Sequence, residues 1–143
     1  MGARRAMPAA MLLTQTSQYA VRATIHLAQH AASGPERVSE IAEALGIPRN
    51  YLSKILHQLA RAGVLESERG PKGGFRLAHD AARLSLARVV EPMDPGFGNQ
   101  RCLLGRAECS DGAACPLHTR WKGLAEEIRV FLENTTLADL IPS

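Results

Sequence analysis

From Thr14 onward, apolar residues recur at helical spacing: Tyr19, Ala23, Ile25, Leu27 and Ala28 mark one face of an amphipathic run that Thr14 or Thr16 can cap. Ala32-Ser-Gly34-Pro35 stops it. Ser39 to Leu45 reads as a short helix, capped by Ser39 and closed by Gly46, with Ile47-Pro48 as the turn. From Arg49 to Arg61 the helical period resumes through Leu52, Ile55, Leu56 and Leu59, and Gly63 ends it. A short helix and a longer one joined by a tight glycine-containing turn make a helix-turn-helix.

Val64 to Ser67 is short and strand-like, Arg69 to Gly74 is a Gly/Pro loop, and Phe75 to Ala78 is a second strand. Attached behind the helices, this hairpin predicts the wing of a winged helix. A further helix is expected from Leu84 to Val90, ended by the prolines and glycine of Glu91 to Gly96. From Pro116 to Glu133 the apolar residues are Leu117, Trp121, Leu124, Ile128 and Phe131, alternating steps of four and three. That is the narrow seam of a coiled coil, and a small winged helix cannot cover all of it. A homodimer is therefore expected, with the tail Thr136 to Ile141 offering further apolar anchors for the second copy. The expected fold is mainly α with a small β-hairpin: a winged helix-turn-helix domain plus a long C-terminal dimerisation helix. Its divisions run 1–10 (leader), 11–80 (winged helix-turn-helix), 81–97 (connecting helix and turn), 98–118 (cysteine-rich loop) and 116–141 (dimerisation helix and tail).

Charge sharpens this picture. Residues 1–80 carry 10 Lys and Arg against 6 Asp and Glu, while residues 81–143 carry 7 against 8. The basic excess sits with the helix-turn-helix, as phosphate binding requires. No apolar stretch approaches the length of a membrane-spanning helix, and the start lacks the sustained apolar core of a signal peptide. An odd number of cysteines argues against a closed disulfide framework, so a cytoplasmic protein with reduced thiols is expected. The first ten residues read as a disordered leader.

The second helix of a helix-turn-helix enters the major groove of double-stranded DNA with residues near its N-terminus at base edges. Here these are Arg49, Asn50, Tyr51, Ser53 and Lys54. Arg49 can fork onto guanine and Asn50 onto adenine, whereas Lys54 suits phosphate. In the wing, Arg69 and Lys72 bring charge to the tip, and Arg69 fits a narrow minor groove. Helix-turn-helix shapes also occur in protein-binding modules and enzymes. The basic, glycine-rich hairpin favours DNA, and no catalytic constellation or nucleotide loop is visible.

Between these elements lies Cys102-x6-Cys109-x5-Cys115-x2-His118. Pro116 suits a first helical position, which would put Cys115 at the cap, where the helix dipole favours a thiolate, and His118 one turn on along the same face. Cys102 and Cys109 lie in a loop containing Gly98, Gly105 and Gly112. Three thiols and one imidazole suit an iron-sulfur centre. Zinc competes, although intervals of six and five fit structural zinc poorly, and thiols that bind no metal remain a third reading.

The chain resembles the Rrf-type family of bacterial transcription regulators over about Met11 to Ile141. The resemblance is carried by Leu13-Thr-x4-Tyr19-Ala-x-Arg22-Ala, Ile47-Pro-Arg-Asn-Tyr51-Leu, Arg69-Gly-Pro-Lys-Gly-Gly-Phe75, the three cysteines and Thr136-Leu-Ala-Asp-Leu. It implies a winged-helix homodimer that holds an iron-sulfur cluster and changes its DNA binding with the state of that cluster. Cys102, Cys109 and Cys115 match the family's cluster cysteines, and His118 stands where a histidine completes a [2Fe-2S] site, with [4Fe-4S] or zinc as alternatives. Gln18 occupies the place where the family's nitric-oxide sensors use an aspartate. Two departures stand out: the first cysteine interval is one residue longer, and Ser53 replaces a base-reading glutamate.

Overall fold

The computed structural model describes residues 13–95 and 117–142, with the side chain of His118 excepted. Helix α1 (Gln15–Gln29) is capped by Thr14, whose hydroxyl accepts from the Ser17 N–H. Its buried face carries the small residues Ser17, Ala20, Ala23 and Thr24, and Leu27. Small side chains let neighbouring helices approach closely, and the Thr24 hydroxyl satisfies itself within its own helix by donating to the Ala20 and Val21 carbonyls.

Helix α2 (Val38–Leu45) begins earlier than Ser39 suggested, because Arg37 is the cap residue. The physical reason is Glu40: its carboxylate accepts from the Arg37 N–H at 2.9 Å, three residues upstream. Gly46 ends α2 in the left-handed conformation, φ 70°. After the Ile47-Pro48 turn, α3 (Arg49–Arg61) buries Leu52, Ile55, Leu56 and Leu59, the whole expected stripe.

Strands β1 (Leu65–Glu68) and β2 (Gly74–Leu77) pair antiparallel, with Glu68 opposite Gly74. Both are displaced by one residue from the expected spans, Gly74 entering the strand at φ 143°, a value that only glycine adopts readily. A second seam supports β2 from its other side. Glu36 N–H donates to the Phe75 carbonyl at 3.0 Å, and Phe75 N–H donates to Glu36 at 2.7 Å. A Cβ on Gly74 would lie 2.2 Å from the Glu36 carbonyl oxygen, so this close approach also requires glycine.

Leu84 does not join the following helix, as the sequence suggested. It is extended, and α4 (Leu86–Val90) starts after Ser85, whose hydroxyl accepts from the Arg88 N–H. Leu84 is held by the far end of the chain: Leu137 N–H donates to its carbonyl, Leu86 N–H donates to Thr135, and Ser85 bridges Thr136. Leu137 is thereby fully buried in the core of its own chain, which corrects its expected role as an anchor for a second copy. Leu140 remains exposed.

The long helix α5 (His118–Asn134) begins two residues later than Pro116, with Leu117 as its cap residue and Trp121 N–H to Leu117 C=O at its first turn. Cys115, expected as the cap, lies outside the described residues, and with it the expected same-face relation to His118. One shoulder of the apolar seam packs inside the chain through Ala125 and Leu132, with Ile128 beside them. The other shoulder, Leu117, Leu124 and Phe131, is exposed at 36%, 51% and 59% and repeats every seven residues. A single core joins α1, α2, α3, the hairpin, α4, Leu132 of α5 and Leu137.

Candidate nucleic-acid interface and cysteine segment

Helix α3 presents Arg49, Asn50 and Lys54 to solvent, while its apolar stripe holds it on the core. The Asn50 side-chain carbonyl accepts from the Tyr51 N–H at 3.0 Å, and its side chain is exposed, so the amide group can donate to an outside partner. Ser53 is half-buried, and its carbonyl oxygen lies 2.8 Å from Nδ1 of His57.

Tyr51 plays a different part from its neighbours. Its hydroxyl bonds with Thr16 at 3.0 Å, and its ring meets Tyr19 edge to face with centroids 5.5 Å apart. Both contacts reach α1, so Tyr51 fixes where the exposed end of α3 points. Arg22 adds a parallel clamp by donating to the Leu45 carbonyl at 2.7 Å, at the C-terminal end of α2. Thr16 and Arg22 are thus positioning residues for the helix-turn-helix.

On the wing, Arg69 and Lys72 are exposed at the hairpin tip. Arg76 is engaged by Glu66 and Glu68 on the facing strand, so it is not a counterpart of those tip cations. Arg37 was not singled out by the sequence. Its guanidinium donates to the Pro71 carbonyl and so supports the tip from outside the hairpin. A charged residue between the Gly34-Pro35 turn and α2 was the available signal. His57 completes the frame from α3, its ring edge to face with Phe75 at 5.2 Å.

Cys102, Cys109 and Cys115 lie outside the described residues; His118 is placed by its backbone as the first residue of α5. Further along α5, Arg129 bonds with Glu126 and Glu133. The hydrogen bond to Arg129 holds the Glu126 carboxyl below its usual pKa, and the bonds from Glu126 and Glu133 raise that of Arg129. These exposed charges border a helix whose heptad-spaced apolar shoulder is left exposed by the described residues.

Comparison with known proteins decides the family. Residues 13–143 match the model described as Rrf2, iron-dependent transcriptional regulator. The chain belongs to the Rrf2 family. Among Rrf2 relatives, the regulator named HTH-type transcriptional regulator IscR of Photobacterium profundum is 37% identical over 131 residues, covering 92% of this chain and 76% of that protein. The same-named protein of Yersinia enterocolitica is also 37% identical, over 92% of this chain and 79% of its own length. Among solved structures, T. potens IscR superposes with a TM-score of 0.74 at 25% identity, covering 93% of this chain and 88% of that one. CymR, titled the global cysteine regulator of B. subtilis, gives 0.76 at 22% identity over 90% and 94%, a likeness of fold alone. This Rrf2 member is an IscR-like, DNA-binding transcriptional regulator, and its named relatives are regulators rather than enzymes. No helix among its described residues is long and apolar enough to cross a membrane.

Proposed function

We propose that this regulator binds its operator as a homodimer and that an iron-sulfur cluster held by Cys102, Cys109, Cys115 and His118 controls that binding. The observation that carries the reading is the donor set: three thiols and one imidazole, the last opening α5, in a chain 37% identical to regulators named IscR. Four donors of this softness fit a [2Fe-2S] group, and the mixed sulfur and nitrogen ligation suits one whose potential is shifted from an all-thiolate centre. When bound, the group supplies reversible redox and ligand-loss chemistry.

The protein's own residues convert that chemistry into a change of grip. His118 is the first residue of α5, and α5 packs on α4 and the core through Ala125, Ile128 and Leu132. Its exposed shoulder, Leu117, Leu124 and Phe131, faces the second copy. A pull on His118 therefore acts on the helix that sets the separation of two readers, each reaching DNA through Arg49, Asn50, Lys54, Arg69 and Lys72, with Tyr51 and Ser53 shaping the helix between. Residues 98–118 join the reader to α5 and hold all four donors.

Anaerobic purification followed by iron, sulfide and zinc analysis tests the cluster. Iron and sulfide in equal amounts, with visible absorbance lost in Cys109→Ala and altered in His118→Ala, is the expected result. Zinc without sulfide, or unchanged absorbance in both variants, defeats it.

A further inference from the structure

Two imidazoles stand one turn apart at the end of α1, His26 in its last turn and His30 as its C-cap residue, and neither belongs to the reading surface or to the cysteine segment. His26 Nε2 lies 2.8 Å from Oε1 of Glu36, and both side chains are largely withdrawn from water, 11% and 17% exposed. The His26 and His30 rings lie with centroids 4.3 Å apart. One ligand atom from each of the three side chains falls within 4.8 Å of the other two. His30 Nδ1 is 2.8 Å from the His26 carbonyl oxygen. A carbonyl only accepts, so this nitrogen carries the proton and the neutral ring keeps its lone pair on Nε2. Such an outer bond to a backbone carbonyl fixes the tautomer of metal-binding imidazoles.

We propose that His26, His30 and Glu36 form a binding site for a divalent transition-metal ion of the zinc type, distinct from the cysteine segment and independent of whether that segment holds a cluster. Two imidazoles and a carboxylate are a donor set that zinc accepts, with water in the fourth position. Tetrahedral bonds of ~2.1 Å place neighbouring ligand atoms roughly 3.4 Å apart. His26 and Glu36, now at 2.8 Å, need to part only slightly, and the exposed His30 side chain closes the remaining distance by rotation. A plain hydrogen bond between His26 and Glu36 accounts for two of the three residues; the ion accounts for His30 as well.

The site has leverage over the wing. Glu36 pairs with Phe75 through both of its backbone groups, and the next residue, Arg37, donates to Pro71 at the hairpin tip. An ion at Glu36 ties α1 to the segment that braces β2.

Zinc titration by calorimetry into the full chain carrying Cys102→Ser, Cys109→Ser and Cys115→Ser tests the site with thiols removed. One bound equivalent is expected, and His30→Ala in the same chain should weaken zinc binding by at least ~100-fold. His30 is exposed, so its removal leaves the core untouched. Cobalt in the same chain should give ligand-field bands without thiolate charge transfer. A second measurement covers a triple variant that does not fold: with the cysteines intact, His30→Ala should lower total bound zinc by one equivalent. No zinc binding below ~1 mM in the folded triple variant, or equal zinc content and affinity with and without His30, overturns the proposal.

Discussion

Replacing Leu124 and Phe131 together by alanine tests whether the bare shoulder of α5 is the dimer seam. The two side chains are 51% and 59% exposed, so about half of each awaits cover. Full burial of such a residue stabilises by ~1.5–3 kcal/mol, so covering these remaining halves contributes ~1.7–3.3 kcal/mol per chain. In a twofold interface each patch appears twice, giving ~3–7 kcal/mol for the pair. At ~1.4 kcal/mol per decade, the double variant should dissociate at least ~100-fold more readily. Sedimentation equilibrium over a concentration series measures this, and far-ultraviolet circular dichroism should show an unchanged helix content because neither side chain lies in its own chain's core. Leu132→Ala is the contrast: at 7% exposure it should cost ~2–5 kcal/mol of folding stability. An association constant in the double variant equal to that of the parent would refute the assignment of this face.

Two further outcomes follow from the reader. Arg69→Ala should weaken operator binding and reduce the slope of log affinity against log salt by ~1, as loss of one phosphate contact requires, measured by fluorescence anisotropy across a salt series; an unchanged slope and affinity would remove the tip from the interface. Gly74→Ala places a Cβ 2.2 Å from the Glu36 carbonyl at a φ of 143°, so thermal melting should reveal a loss of ~1–3 kcal/mol together with weakened operator binding.

Much of the reader was legible because its signals are periodic. Leu52, Ile55, Leu56 and Leu59 recur at helical spacing, and all four are buried. Gly46 was readable as a stop because a left-handed residue there admits little else. The start of α2 was not, since Ser39 looks like a cap while the deciding bond runs from Glu40 back to Arg37. Contacts between remote segments were hidden for a general reason: no local pattern announces that Thr16 meets Tyr51, that His26 meets Glu36, or that Leu137 docks beside Leu84. The α5 seam was half legible. Its apolar period was plain, but the division into a covered shoulder at Ala125 and Leu132 and a bare one at Leu124 and Phe131 depends on how α4 sits against it. For the cysteine segment, the sequence offers three thiols and an imidazole as candidate donors, and Cys102, Cys109 and Cys115 lie outside the described residues.

The return of the chain end to Leu84 has a practical meaning for anyone dissecting this regulator. With Leu137 filling the interior and Thr135 carrying the Leu86 amide, the C-terminal stretch is a structural keystone of the DNA-reading half. Excising it to obtain a minimal reader opens a void and strands backbone amides, so constitutive fragments are best built by silencing residues in place rather than by cutting the polypeptide short.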